Sequence, residues 1–208
     1  MIDFYFSNTP NGRKVRLFME ESQLPHRVVP VSISKRENFK PEFLAISPNN
    51  KIPAIVDHAP SDGGGPLPIF ESGAILIYLA DKIGRFIPMD MRGRVEVLKW
   101  LFWQVGGLGP MGGQIEHFNL YAKERVPYAL ERYQRETSRL FGVLDKRLGE
   151  SEYVAGSEYT IADIACHPWI APYRDLLQDL DEFKNLKRWY ETILAHPAAQ
   201  RVYEGVHH

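Results

Sequence analysis

The sequence predicts a small α/β domain with a mixed sheet, followed by an all-helical domain. Strand-like and helix-like segments alternate in the first part of the chain, in the order β-α-β-α-β-β-α. After Pro88, apolar residues recur at helical spacing and almost no strand signal remains. Gly84 and Pro88 mark a short linker between the two patterns. We therefore place the first domain at residues 1–82 and the second at residues 90–208.

The first half of the α/β domain is predicted as a strand, a polar turn, a helix and a second strand. Residues 2–6 (IDFYF) are aromatic and β-branched, as is typical of a short strand. The turn-forming residues 7–12 (SNTPNG) follow, and apolar residues then recur at helical spacing from Val15 onward. The next strand is predicted over residues 27–33, where Pro30 favours an edge position because proline cannot donate to a strand ladder.

The second half of this domain is predicted as two more strands and a closing helix. A polar, weakly helical stretch over 35–47 precedes a third strand at 52–56. A glycine-rich loop then joins that strand to a fourth over 67–70. Ser72 is expected to cap a helix that ends near Gly84.

The composition excludes several functional classes. The chain of 208 residues carries 25 Lys and Arg against 26 Asp and Glu, so no positive excess is available to neutralise nucleic-acid phosphates. The single cysteine, Cys166, excludes a disulfide framework, a C-x-x-C redox pair and a thiolate metal cluster. The N-terminus lacks the apolar core of a signal peptide, and no apolar stretch is long enough to span a bilayer. We expect a soluble cytoplasmic protein that binds neither nucleic acid nor membrane; the terminal His207 and His208 decide nothing about function.

Three motifs in the predicted helical domain have structural explanations. Thr160-Ile-Ala-Asp163 fits a capping box, in which each of the two residues satisfies a backbone amide of the other. The glycines of residues 107–112 match G-x-G-x-x-G, but no strand precedes them, so we interpret them as a kink or a close helix approach and exclude a nucleotide site. Cys166 lies beside His167 just after the cap, and a buried, unreactive thiol is the favoured interpretation.

Three short motifs in the α/β domain have the chemistry of a binding site. Thr9 to Gly12 lie where a helix N-terminus would favour an anion. Ile52-Pro53 starts a strand with the preceding residue extended, so that its backbone groups can pair with a ligand. Glu71-Ser72 combines a carboxylate for an amine with helix-terminal donors for a carboxylate. Together these motifs indicate a site for an amino-acid head group.

The order of these motifs resembles the glutathione transferase superfamily. The resemblance is carried by SPNNKIPAIVD at 47–57, FESGAILIYLA at 70–80 and YTIADIA at 159–165. In addition, TPNGRKV at 9–15 with WLFWQVGGLGPMGGQ at 100–114 is similar to the bacterial nu class, which is itself similar to glutathione-dependent disulfide-bond reductases. The resemblance implies a thioredoxin-like first domain that binds glutathione. It implies a second domain for the co-substrate and for homodimer formation.

The resemblance also implies the residues around the cysteinyl unit of glutathione. Thr9 and Asn11 should face the sulfur and act as the catalytic pair, and they are favoured over Ser7 because TPNG is the matching motif. Ile52 should pair through its backbone with the cysteinyl unit, beside Pro53 in the cis form.

At the two ends of glutathione the resemblance implies charged and polar contacts, and no metal. Glu71 and Ser72 should hold the γ-glutamyl head. Asn38 and Lys51 should lie near the glycyl end, although relatives often carry a glutamine in place of Asn38. Arg132 should reach the ligand too, from the neighbouring subunit.

The implied activity is to bind glutathione and keep its thiol ionised. A thiol of pKa ~8.5 is only a few per cent ionised at neutral pH, so donors at the sulfur must lower that pKa. The favoured reaction is glutathione-dependent disulfide reduction with some peroxidase activity. The alternatives are a general conjugating transferase and a non-catalytic binding protein. The expected co-substrate wall comprises Trp103, the 106–113 bend, and Trp169 or Tyr173.

Overall fold

Residues 1–204 are described by the computed structural model, and they divide between Arg85 and Phe86 into two units. His207 and His208 lie outside the described residues. The first unit follows the predicted order of strands and helices. Its elements are β1 (Ile2–Phe6), α1 (Pro10–Ser22), β2 (His26–Pro30), a 3-10 turn (Glu37–Phe39), α2 (Pro41–Leu44), β3 (Ala54–Asp57), β4 (Leu67–Phe70) and α3 (Ser72–Ile83).

The four strands form one mixed sheet in the order β2-β1-β3-β4. β1 pairs in parallel with β2, with Phe4 opposite Val28, whereas β1–β3 and β3–β4 are antiparallel. β2 therefore lies at an edge, as Pro30 predicts, and the mixed α/β sheet is confirmed.

Two strand boundaries differ from the prediction. β2 begins at His26 and ends at Pro30, three residues before the predicted end at 33. β3 begins at Ala54 instead of residue 52, because Pro53 has no N–H with which to join the ladder. The Ile52–Pro53 peptide bond is cis, which confirms the form that the resemblance implies.

The two faces of the sheet bury different residues. Phe4 is fully buried on one face. Tyr5 points to the other face, where its ring lies 6.0 Å from that of Phe43 in α2, within a cluster that includes Val31 and Ala54. α1 and α3 contact each other, and their apolar residues are buried: Val15, Leu17, Phe18, Ile75, Leu76 and Leu79.

The described residues of the second unit form helices joined by loops and turns, with no strand and only an isolated bridge between Tyr153 and Gly156. The all-helical prediction is therefore confirmed for the part of the chain that the structure describes. None of the helices up to residue 204 is long and apolar enough to cross a membrane. The elements are α4 (Met91–Trp103), α5 (Gly109–Glu116), α6 (Pro127–Glu150), α7 (Ile161–Ile170), α8 (Lys184–Leu194) and α9 (Pro197–Tyr203), with π-helical turns at Gln104–Leu108 and His117–Tyr121 and a 3-10 turn at Leu180–Glu182.

The capping box at the start of α7 is confirmed. The Thr160 amide donates to Asp163 Oδ2 at 2.9 Å, and the Thr160 hydroxyl accepts from the Ala162 amide at 3.3 Å. Asp163 Oδ1 also accepts from the Val154 amide and from Trp189 Nε1, each at 2.8 Å. Burial raises the pKa of Asp163 to about 6, although these hydrogen bonds oppose the rise. The Asp163 carboxyl group therefore connects α7 to α8 and to the preceding loop.

The glycine-rich segment at 107–112 permits a close approach of α7, as predicted. A Cβ atom on Gly112 would lie 3.0 Å from Trp169 Cε3, so a larger residue there would force the indole of α7 to move. Trp169 itself is only 6% exposed, and it is buried beneath this segment. Cys166, on the same helix, is fully buried, which confirms the interpretation of a packed thiol.

Candidate active site

Six of the predicted site residues line one pocket in the first unit. Asn11 comes from the first turn of α1, Lys51 to Pro53 precede β3, and Glu71 and Ser72 lie where β4 meets α3. Two further residues complete the lining, Ser47 and Phe70. The three motifs, separated by up to 60 residues in the sequence, therefore meet at one place in the fold.

At the start of α1, several backbone amides are already hydrogen-bonded within the turn, and a side chain faces the pocket. Thr9 is the N-cap, and its Oγ1 accepts from the Gly12 amide at 3.1 Å. The Thr9 amide donates to the Ser7 carbonyl at 2.8 Å, and Pro10 has no N–H. The first turn is thus largely satisfied internally, and Asn11 carries its amide side chain into the lining.

Ser7, over which Thr9 and Asn11 are favoured from the sequence, lies outside the pocket lining. Its hydroxyl donates to the Val31 carbonyl, which fixes the loop after β1 against the end of β2. Gly12 packs against the same loop so closely that a Cβ atom there would lie 2.2 Å from the Ser7 carbonyl oxygen. Only glycine therefore fits this position, which accounts for the G of TPNG.

The loop before β3 is held by two side chains from outside the strand. Ser47 is fully buried, and its hydroxyl donates to the Lys51 carbonyl at 2.9 Å. Asn38 donates through Nδ2 to the carbonyl of Asn50 at 2.8 Å, and Asn50 itself has a left-handed φ of 50°. Asn38 therefore supports the loop and does not line the pocket.

Glu71 has an unfavourable backbone conformation at the edge of the pocket. Its φ is 68° with ψ at 115°, a region that costs a non-glycine residue about 1–3 kcal/mol. Its carbonyl accepts the first bond of α3, from Ile75 at 2.9 Å, and its side chain is exposed. The strained backbone is held in place by the start of this helix and directs an exposed carboxylate to the pocket rim.

The prediction that Ser72 caps α3 is wrong. Glu71 is the N-cap, without a side-chain capping bond, and Ser72 is the first residue of the helix. Ser72 is 7% exposed, and its hydroxyl accepts from the Nζ of Lys14 at 3.3 Å. The lysine takes the place of the backbone amide that a capping serine would bind, so the hydroxyl hydrogen is available to other acceptors.

The remaining predicted residues lie elsewhere. Thr9 and Asn38 belong to the same unit but lie outside the pocket lining. Arg132 lies on α6 in the second unit, at a cavity that it shares with Met111 and Tyr133 and with the Arg139–Glu136 ion pair. A contact of Arg132 with the ligand from a neighbouring subunit stays a prediction, as does the co-substrate wall.

Three residues of the site were not identified from the sequence. Ser47 and Phe70 are the first residues of two recognised motifs, and that position was the available signal. Lys14 gave a weaker signal, because a lysine in an amphipathic helix is ordinarily interpreted as solvent-exposed. Its spacing of three residues from Asn11 places both on one face of α1, which could have indicated a shared role.

The pocket presents a defined set of polar groups. The Glu71 carboxylate can accept from an ammonium group, and the Ser72 hydroxyl at the N-terminus of α3 can donate to a carboxylate. Lys51 offers a cation, and Asn11 offers an amide donor. This arrangement can bind a short peptide with an amino-acid head group, a central atom that accepts hydrogen bonds and a second carboxylate.

Comparison with known proteins gives consistent matches along both units. The glutathione S-transferase N-terminal domain model matches residues 9–82, and the C-terminal domain model matches residues 110–197. The chain is 56% identical to the disulfide-bond oxidoreductase YfcG of Escherichia coli (strain K12), over 95% of this chain and 92% of that protein.

Solved structures agree with these matches. A glutathione transferase family member from Pseudomonas fluorescens pf-5, with two glutathione bound, superposes with a TM-score of 0.92 at 46% identity, over 98% of this chain and 92% of that one. A glutathione transferase from Pseudomonas putida, with one glutathione disulfide bound per subunit, gives 0.91 at 39% identity, over 99% and 92%. With both domain models matched and more than half of its residues identical to YfcG, this chain belongs to the glutathione S-transferase family.

Proposed function

We propose that this protein is a glutathione-dependent disulfide reductase that holds glutathione in the pocket of its first unit. The observation that carries the proposal is that Asn11, Glu71 and Ser72 share a pocket in a unit that contains no cysteine. The identity to YfcG, which is named a disulfide-bond oxidoreductase, supports the same reaction. The thiols that do the chemistry therefore come from glutathione.

In this proposal each end of glutathione has its own partner in the pocket. Glu71 accepts from the ammonium of the γ-glutamyl head, and Ser72 donates to the carboxylate beside it. The backbone of Ile52, next to Pro53, pairs with the cysteinyl unit. Lys51 attracts the glycyl carboxylate, and Asn38 acts on that end through the loop that it holds at Asn50.

The sulfur lies between these ends, at the start of α1. Asn11 donates to it through its side-chain amide, and Thr9 offers its hydroxyl hydrogen, because the hydroxyl oxygen already accepts from Gly12. Hydrogen bonds to a thiolate favour the charged form and lower the thiol pKa. The positive end of α1 acts in the same direction.

The reaction proceeds by two thiol–disulfide exchanges. The first glutathione thiolate attacks one sulfur of the disulfide substrate, which releases one substrate thiolate and leaves a mixed disulfide. A second glutathione thiolate attacks the glutathione sulfur of that mixed disulfide and releases the other substrate thiolate. Two glutathione molecules are oxidised to glutathione disulfide and one disulfide is reduced to two thiols. The relatives bound to two glutathione molecules or to glutathione disulfide support this stoichiometry.

The location in the cell, the subunit assembly and the roles of the two domains are part of the same proposal. We propose a cytoplasmic homodimer with peroxidase activity, a glutathione-binding domain at 1–82 and a co-substrate and dimerisation domain at 90–208.

Three exposed apolar residues support the proposed dimer. Met91, Val95 and Phe102 are 81%, 51% and 62% exposed, and they share one face of α4, an apolar stripe of the kind that a subunit interface covers. Arg132 then reaches the site of the neighbouring subunit. Sedimentation equilibrium at the monomer mass would contradict this assembly.

The test is turnover by the purified protein with glutathione. We expect reduction of a small-molecule disulfide, with one glutathione disulfide formed per disulfide consumed. Conjugation of glutathione to an aryl halide in place of disulfide reduction would favour the general transferase. Absence of glutathione binding by calorimetry would overturn the proposal in favour of a binding protein.

A further inference from the structure

Lys14 is a buried cation next to the pocket. The residue lies on α1 and is only 1% exposed, whereas most lysines in proteins are exposed to solvent. Its Nζ donates to Ser72 Oγ at 3.3 Å, across a separation of 58 residues in the sequence. This bond connects the helix that carries Asn11 to the first residue of α3.

The bond to Lys14 sets the polarity of the Ser72 hydroxyl. An ammonium group can only donate, so the serine oxygen must be the acceptor in this pair. The single hydroxyl hydrogen of Ser72 then points away from Lys14. Because Ser72 also lines the pocket, that hydrogen is the group it offers to a ligand, which suits an anion and not a cation.

The ammonium charge lies close enough to act on the same ligand group. An oxygen bonded to the Ser72 hydroxyl would lie within about 6 Å of Lys14 Nζ, the 3.3 Å contact plus one hydrogen-bond length. Opposite charges at that range attract strongly where protein excludes water. Asn11 and Lys14 lie three residues apart on one face of α1, so this face carries both a sulfur donor and a carboxylate anchor.

We infer that Lys14 is a positioning residue for the γ-glutamyl carboxylate: its buried ammonium orients the Ser72 hydroxyl as a donor and supplies positive charge behind it. This inference rests on the proposed function, since it assumes that the γ-glutamyl head binds at Glu71 and Ser72. The amine and the carboxylate of the γ-glutamyl head group are thereby assigned to different residues. Glu71 recognises the amine from the pocket rim, and Lys14 recognises the carboxylate from beneath Ser72.

The test compares two ligands in the Lys14→Met variant. The first ligand is glutathione, and the second is 4-aminobutyryl-cysteinylglycine, which keeps the amine but lacks the α-carboxylate. We expect wild-type protein to prefer glutathione, measured by calorimetry. Lys14→Met should bind glutathione about 10- to 100-fold more weakly, the range for loss of a charge-assisted interaction, and should bind the analogue within about twofold of wild type. A purely structural role of Lys14 would weaken both ligands equally.

Two further variants complete the design. Lys82→Met is the matched control, because it removes a partly buried ammonium from the far end of α3, about 15 Å from Ser72, where Lys82 pairs with Asp57. It should keep the wild-type preference for glutathione. Lys14→Gln retains a donor for the Ser72 hydroxyl but has no charge, and it carries the test if the methionine variant fails to fold. It should also lose glutathione affinity selectively.

The outcomes distinguish this inference from the proposed function. A Lys14 variant that keeps the full preference for glutathione would overturn the inference and leave the proposed function standing. Equal weakening of both ligands would also overturn it. A wild-type protein that binds glutathione and the analogue equally would also overturn the inference, because no carboxylate would then be recognised at Ser72, whereas one that binds neither of them would overturn the proposed function as well.

Discussion

Replacing Asn11 with alanine should raise the thiol pKa of bound glutathione without removing the binding site. The first turn of α1 has few amides left to stabilise a thiolate. The Thr9 amide donates to Ser7 at 2.8 Å, the Gly12 amide donates to Thr9 at 3.1 Å, and Pro10 has none. The Asn11 side chain is therefore a neutral donor that this turn brings to the pocket lining.

The size of the effect follows from the loss of one hydrogen bond to a charged acceptor. Such a bond contributes about 1.5–3 kcal/mol. At 1.36 kcal/mol per pKa unit, Asn11→Ala should raise the pKa of the bound thiol by about 1–2 units. The neutral thiol is a weak acceptor, so affinity for glutathione at low pH should be nearly unchanged.

The assay is ultraviolet titration of the thiolate in the complex. Asn8→Ala is the matched control, because Asn8 is exposed, lies outside the pocket lining and binds the Nε of Arg13 at 2.9 Å. The control should keep the wild-type midpoint. An unchanged midpoint in Asn11→Ala would refute the role of this side chain and leave ionisation to Thr9 or to the dipole of α1.

Three other substitutions test the site and the helical unit. Ser72→Ala should bind glutathione about 10- to 100-fold more weakly while remaining folded, because a bond to a carboxylate is lost; unchanged affinity by calorimetry would contradict this. Thr160→Ala should lower the free energy of unfolding by about 1–2 kcal/mol, since the N-cap of α7 is lost, and urea unfolding would show it. Asp163 has a pKa raised to about 6 by burial, so the folded state binds its proton more tightly than the unfolded state does. The stability that this group contributes should therefore fall by about 2 kcal/mol as the pH rises from about 4 to about 6, relative to Asp163→Asn; a relative stability that rises over this interval would mean that the pKa is lowered instead.

The sequence predicted the features that depend on local chemistry. Pro30 indicated an edge strand because it lacks an amide, and β2 lies at the edge. Thr160 and Asp163 indicated a capping box because their spacing fits one turn of helix. The pocket residues were identified through a resemblance between motifs, and the structure brings six of them together at one place.

The features that depend on distant contacts were not predicted. Ser72 was assigned as a helix cap from its own neighbourhood, but Lys14 reaches its hydroxyl from another helix, and no local pattern contains that contact. Asn38 was assigned to the glycyl end by resemblance, and the contact of its amide with the carbonyl of Asn50, twelve residues away, was not predicted. In both cases a polar side-chain atom is bonded to a partner that only the folded chain brings close to it.

The measurement that tests the central claim most directly is disulfide turnover by a cysteine-free protein. Cys166 is the only cysteine in the sequence and is fully buried on α7, so Cys166→Ser leaves no protein thiol at all. If glutathione supplies both reacting sulfurs, the folded variant should reduce a model disulfide at close to the wild-type rate, with glutathione disulfide as the product. Loss of turnover in a folded Cys166→Ser protein, or a glutathione adduct on Cys166 that forms and decays during wild-type turnover, would contradict the account.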